Sequence, residues 1–489
     1  MSSIKDLSKD ISIYAIGNIA QRAVIFILLP LYTNVLSMSE YGLVETIAVT
    51  IQILIFFMDI GMSRSVLRYY SRYQDDPSQL GHLTTTGLIL MLFSGISTLA
   101  VGILFQKSLS NILFGDPKYS TVLIWTLISS FLQTVNLWIV ILYRAKRQAG
   151  RYVLVSILNL VMLTALTFYF VRYLRLGVFG VLYAQCIVYL LIDTALLAGT
   201  LNLRRGQIGF SWGLARQLFN FGFPLIFTMA GMLAMNSIDR FFLVHFRGFE
   251  DVAIYSLGVR IAAMLGMLTV TPFQLAWGPF LFSKEKQDMS KFASRFFTYL
   301  IFILTFGGTI FLFFSKELVL LLSSENYLDS QGVVVFMLVS IALMGVYYWA
   351  GGLVNLVEKT WKLGFIVIFA AISNVTLNYI LTPKFGWVGA AWSDVLATGI
   401  AAGLTFSIAI KNYHISFENR RILIIGLFIF CSWSFYFLTQ NTIVGWASVG
   451  MRVIALLVGL LLFIPMHFIT DYEYKKVRGM ITSIKTRYS

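Results

Sequence analysis

The chain has 489 residues, of which 58% are hydrophobic and only 12% charged, and it carries a formal net charge of +15. A soluble protein of this length needs far more polar surface. Runs of about 20 apolar residues, each able to cross a ~30 Å hydrocarbon core as a helix, recur from end to end. They lack the period-2 alternation of a barrel, so the sequence predicts an all-α polytopic membrane protein.

The first run, 11–36, follows Lys5 and Lys9 and shows no small-residue cleavage pattern, so it reads as a retained helix and not a signal peptide. Tyr14, Asn18, Gln21 and Arg22 form a polar patch near its mid-depth. The second span, 41–61, places Glu45, Gln52 and Asp59 seven apart on one helix face, with Arg64 just beyond at the mouth. Spans at 83–106, 119–143, 152–173 and 177–201 complete a first group of six.

Span seven, 218–245, holds Asn236 and then Asp239 beside Arg240 in a stretch that is otherwise almost wholly apolar. An Arg or Asp at the bilayer centre costs about 2.5–3.5 kcal/mol, so such residues face a partner or water. Neighbouring helix positions point about 100° apart. Arg240 is therefore expected to face a cavity with Asn236, while Asp239 holds a neighbouring helix, the pair forming part of an external gate. Span eight, 252–281, carries Ser256, Arg260, Met267, Thr271 and Gln274 at helical steps, and its Trp277–Gly278–Pro279 reads as a bend. The remaining spans fall at 296–322, 330–357, 362–382, 387–410, 422–439 and 447–469. Asn374 and Asn378 read as interhelical hydrogen-bonding residues, and Arg452 as one that snorkels to the outer interface.

These fourteen spans sort the basic residues. Of 37 Lys and Arg, 26 fall on the side of the two chain ends, 7 on the other, and Arg22, Arg240, Arg260 and Arg452 within spans. By the positive-inside rule both ends are cytoplasmic. The positive charge is then a topology signal, and nucleic acid is excluded as a partner.

An internal repeat joins the two groups. "LGVFGVLYAQ" at 176–185 is echoed by "FGWVGAAWSD" at 385–394, pairing Gly177 with Gly386 and Gly180 with Gly389 at an offset of 209; "EYGLVETI" at 40–47 is echoed by "IYSLGVRI" at 254–261. Six spans separate the copies, so the halves share one orientation about an axis along the membrane normal. The expected domains are a six-helix bundle at 1–203, a second at 204–411, and two additional helices with a basic tail at 412–489. Spans one, two, seven and eight are the polar ones, and the repeat makes them two equivalent pairs lining a common cavity.

No nucleotide-binding or H-E-x-x-H pattern occurs, there are four histidines, and Cys186 and Cys431 both lie in apolar runs. The loops are too short to bury a soluble catalytic domain. The expectation is a transporter, not an enzyme, without a cofactor or metal.

"LSMSEYGLVETI", "AWGPFLF" and above all "NVTLNYILTPKFGWVGAAWSD" at 374–394 resemble the polysaccharide transporter family of the multidrug/oligosaccharidyl-lipid/polysaccharide exporter superfamily. The resemblance implies two six-helix bundles exchanging inward- and outward-open states in the bacterial inner membrane. It implies a flippase for an undecaprenyl-pyrophosphate-linked oligosaccharide such as an O-antigen or capsule unit of lipopolysaccharide-type pathways. Membrane lipids, protons or sodium ions, and polysaccharide polymerase or assembly proteins are the implied partners. Arg22 and Arg260 match the arginines of related lipid II flippases by helix and approximate depth; no mid-span arginine in span two does.

From the residues themselves, Arg22, Arg260, Arg240, Asn18, Gln21, Asn236, Gln52 and Gln274 are the candidate substrate ligands. Asp59, Glu45, Asp239 and Arg64 are the candidates for coupling or gating. Cationic side chains in a wet cavity pair with pyrophosphate by charge-assisted bonds, and amides suit sugars. A cation-coupled drug antiporter of the same superfamily, a membrane-embedded glycosyltransferase or ligase, and an assembly scaffold are the competing readings.

Overall fold

A computed structural model describes residues 24, 26–200, 209–282, 289–356, 360–413, 415–439 and 446–463. Every element in it is helical. The helices are α1 (Phe26–Val35), α2 (Met38–Asp59), α3 (Met62–Tyr70), α4 (Pro77–Leu104), α5 (Gln106–Phe114), α6 (Ser120–Ala145), α7 (Ala149–Phe168) and α8 (Gly177–Thr200). They continue with α9 (Trp212–Ser237), α10 (Asp239–Phe246), α11 (Phe249–Leu268), α12 (Val270–Phe282), α13 (Met289–Phe313) and α14 (Ser315–Leu322). The last are α15 (Ser330–Leu356), α16 (Thr360–Phe385), α17 (Trp387–Asn412), α18 (Asn419–Thr439) and α19 (Trp446–Phe463). Among the described residues, 12 helices are long and apolar enough to cross a membrane, and two shorter apolar ones occupy the first and last of the fourteen expected positions.

Local chemistry sets the boundaries. Ser37 and Glu40 close a capping box at the start of α2, satisfying backbone donors that a helix N-terminus leaves open. α2 ends on two successive left-handed residues, Ile60 (φ 44°) and Gly61 (φ 71°), before α3 restarts. The expected single spans seven and eight are each broken, at Ile238 and at Thr269. Pro272 lacks the N–H that would bond the Leu268 carbonyl, and the Thr269 hydroxyl bonds back to Leu265 O at 2.7 Å; both loosen the ladder there. Pro279 of the expected bend lies inside α12, which continues to Phe282.

The repeat is visible in local structure. The short helix α5 is followed by a one-turn 3-10 helix at Pro117–Tyr119 and then α6; α14 is followed by one at Glu325–Tyr327 and then α15. α5 starts at residue 106 and α14 at 315, again 209 apart. Gly177 and Gly386 both take left-handed backbones, φ 55° and 58°. Each faces a carboxylate from the first turns of an equivalent helix, Glu40 of α2 and Asp251 of α11.

By contacts the chain divides into two compact units, one of residues 1–257, 319–333 and 367–397, the other of 258–318, 334–366 and 398–489. The first has a core around Trp138, with Met62, Val66, Leu83, Tyr143 and Leu218. The second packs around Trp277 and Trp349, whose indole N–H groups donate to Trp349 O at 2.9 Å and Ala293 O at 3.1 Å.

Candidate functional site

The Asp239–Arg240 pair sits at the helix break. The N–H of Phe241 reaches back only three residues, to Ile238 O at 3.0 Å, so the turn is tightened where α10 begins. Asp239 is 1% exposed. Its carboxylate accepts from the Tyr255 hydroxyl at 2.7 Å on α11 and from Asn378 Nδ2 at 2.5 Å on α16. Asn378 is itself fixed: its Nδ2 also contacts Asn374 O at 3.1 Å, and its Oδ1 accepts from Thr382 at 3.0 Å. Arg240 donates from Nε to Ser256 Oγ at 3.0 Å, with its guanidinium 5.8 Å from the Tyr255 ring. The two charges therefore have different partners, and Asp239 ties α10 to two neighbouring helices. At 6% exposure Arg240 is covered by Tyr255 and Ser256. No spacing within one helix points to this network, because Asn378 is 139 residues from Asp239.

The stripe on α2 is also divided. Glu45 is buried and partnered, Asp59 is buried, and Gln52 between them is exposed. Asp59 Oδ1 accepts from the backbone N–H of Ser63 at 3.1 Å and from its hydroxyl, so the carboxylate caps the N-terminus of α3. Arg64 is exposed beside it. Arg260 is half-buried and partnered on α11; Gln274 is exposed on α12, its side chain against the Tyr348 hydroxyl. Asn18, Gln21 and Arg22 lie outside the described residues, as does the side chain of Asn236.

Both ends of α2 meet second-half helices at backbone contact. At one end Gly42 lies so close to the Phe249 carbonyl that no Cβ fits between them. Around it Tyr41 meets Tyr327 edge-on at 5.9 Å, Tyr119 meets Phe249 at 5.3 Å, and the Thr33 hydroxyl donates to Leu322 O at 2.6 Å. At the other end Gly61 is against the backbone of Gly222 on α9, where a Cβ on Gly222 would stand 2.9 Å from Gly61 O. Ser65 donates to Leu218 O at 2.9 Å, Tyr73 to Gln217 at 3.1 Å, and the Arg68 guanidinium lies 4.0 Å from the Phe221 ring. The open Gln52 is midway between these two closures.

Two features lie in the second unit. Arg452, expected to snorkel, is instead 7% exposed. Its Nη1 donates to Phe313 O at 2.6 Å and to both Glu317 oxygens at 2.9 and 3.1 Å, because the last carbonyl of α13 has no helical acceptor role left. Beside it, Phe313, Ile424, Leu427, Phe428, Phe435 and Val458 line a cavity of about 410 Å³ among α13, α18 and α19.

Comparison with known proteins gives three kinds of likeness. A family model described as polysaccharide biosynthesis protein matches residues 7–285. An uncharacterized membrane protein of Haemophilus influenzae is 23% identical over 290 residues, 58% of this chain and 67% of that one. One of Methanocaldococcus jannaschii is 25% identical over 235 residues, 45% of each chain, so under half of that relative is spanned. Among solved structures, the lipid II flippase MurJ in its inward closed conformation is similar with a TM-score of 0.72 at 13% identity, covering 93% of this chain and 98% of that one. An inward-facing multidrug resistance MATE family transporter of the MOP superfamily is similar with a TM-score of 0.62 at 18% identity, covering 80% and 98%. At these identities the likeness establishes the fold alone.

Proposed function

Because the chain belongs to the polysaccharide biosynthesis protein family, we propose that it moves an undecaprenyl-pyrophosphate-linked oligosaccharide across a bacterial inner membrane by alternating access. The observation that carries this reading is α2, closed against second-half helices at Gly42 and at Gly61, with the polar Gln52 open between. A carrier that opens one end at a time needs two separable closures flanking a polar space. Pyrophosphate bears at least two negative charges and cannot enter hydrocarbon without cations to pair with. Arg260 on α11 and Arg22 are the proposed phosphate ligands, with Asn18, Gln21, Asn236, Gln52 and Gln274 for the sugars. Arg240 joins them when its end opens, and Asp239 and Arg64 act at the two mouths. The apolar cavity among α13, α18 and α19 suits a prenyl tail that stays in lipid while the headgroup crosses. Both termini are taken as cytoplasmic, and residues 1–203 and 204–411 as the two moving bundles.

Arg22→Ala or Arg260→Ala should abolish complementation of a flippase-deficient strain while the protein stays in the membrane, with Lys restoring part of the function. Full complementation by both alanine variants overturns the assignment. The likeness to a multidrug transporter keeps one alternative, cation-coupled drug export. Resistance to organic cations conferred on a drug-sensitive host, without complementation, would select it.

A further inference from the structure

The first-half bundle encloses a second polar group, away from α2 and α10. Asn136 on α6, Asn159 on α7 and Asp193 on α8 are 6%, 7% and 4% exposed. Asn159 Nδ2 donates to Asn136 Oδ1 at 3.0 Å, and Asn136 Nδ2 donates to Asp193 Oδ1 at 2.8 Å. The chain of donors runs one way and leaves two acceptors over. Asp193 Oδ2 and Asn159 Oδ1 are both buried with no hydrogen-bond partner among the described residues. The flanking side chains Val135, Ile139, Val140, Val155, Leu163 and Ile192 belong to the apolar core, so the group lies in a region that offers little solvation.

A buried acceptor without a donor costs about 1–3 kcal/mol, and a carboxylate oxygen more. Turning the Asn136 amide over would set its oxygen against Asp193, so no internal rearrangement supplies the missing donor. A guest that brings hydrogens or positive charge satisfies acceptors in excess of donors, and a cation alone also balances the buried Asp193 carboxylate. Carboxylate and amide oxygens are hard ligands, suited to a hard cation. One carboxylate balances one charge, and no group of three His, Cys, Asp or Glu residues occurs among the described residues to hold a higher one. We propose that Asp193, Asn159 and Asn136 form a binding site for a monovalent cation, Na⁺ or a proton, joining α6, α7 and α8. Asp193 lies seven residues before the end of α8 at Thr200, roughly 10 Å along the axis. The titratable side chains packed in the same core are Tyr69, Tyr73, Tyr143, Tyr152 and Tyr189. The repeat does not copy the site: the position equivalent to Asp193 at the offset of 209 is Ala402.

Read as the site of the coupling ion, this inference rests on the transporter reading, but ion binding itself is testable without transport. The purified protein in detergent is unfolded thermally across a NaCl series balanced with choline chloride, and separately across pH without sodium. The wild type is expected to gain stability saturably with Na⁺ at fixed pH, or with falling pH alone if the proton is the guest. Asp193→Asn, whose amide can donate where the guest sat, should fold, lose this response and unfold near the midpoint of the loaded wild type. Asn159→Leu should weaken the apparent affinity about tenfold or more, the loss of one bond to a charge. An unchanged response in Asp193→Asn, or a wild type indifferent to both Na⁺ and pH, overturns the site. A flippase assay that fails while the binding response persists would instead count against the transport reading alone.

Discussion

Asp239 is the residue on which most of the described polar network converges, and its geometry predicts how it fails. Both of its bound partners, the Tyr255 hydroxyl and the Asn378 amide, are donors. Asp239→Asn would replace two bonds to a charged acceptor with neutral ones and leave Arg240 without its neighbouring anion, at a cost of about 1–3 kcal/mol. Thermal unfolding in detergent should show a lower midpoint; a wild-type midpoint would mean the network does not hold the helices. At Asp59 the charge and the cap separate cleanly. Asp59→Asn keeps an oxygen for the Ser63 N–H and should be near neutral for stability, whereas Asp59→Ala should cost about 1 kcal/mol. If Asp59 also couples an ion, the Asn variant alone loses the dependence of transport on pH or sodium. The sequence made the charged pair conspicuous because two opposite charges in an apolar run need a cause. Tyr255 and Asn378 stayed hidden because they lie on other helices, and one-dimensional spacing carries no information about partners 16 and 139 residues away.

The same contrast holds for helices. The long spans were legible because burial in hydrocarbon demands length and apolarity, and both can be counted. The breaks at Ile238 and Thr269 were not, since a hydropathy window averages across them and each depends on one or two backbone bonds, whereas the left-handed Ile60–Gly61 pair coincides with the expected end of span two. The short helix α5 fell in a loop between spans and α14 inside the single span 296–322, although their shared offset follows the repeat. α2 is the element whose behaviour follows most directly. Its 22 residues form a strut of about 33 Å, and each end touches backbone. Gly42→Ala should hold the Phe249 end apart, and Gly61→Ala, at a left-handed position as well, should disturb the Gly222 end. In a background lacking Cys186 and Cys431, Gly42→Ala should expose a cysteine at Tyr327 to thiol reagent and leave one at Leu218 protected. Gly61→Ala should give the reverse. Equal labelling at both probes in both variants would mean that the ends do not close separately.

Across the whole chain the repeat preserves scaffold and not chemistry. Turns, short helices and left-handed glycines recur at 209. The buried polar groups do not: Asp239, Asn374 and Asn378 have no counterparts in the first half at that offset, which gives Pro30, Ala165 and Tyr169. Packing constraints act alike on both copies, while each half keeps its own polar equipment. The attachment of the last helix has a further consequence. Arg452 reaches a carboxylate made 135 residues earlier, so a growing polypeptide carries Glu317 and the terminal carbonyl of α13 without their cation until α19 has been made. The arginine thus latches a helix made early to one made late. A nascent chain stopped before residue 446 should be cleared by membrane quality-control proteases several times faster than the full chain in a pulse-chase, and Arg452→Met should shorten the half-life of the full-length product in the same direction.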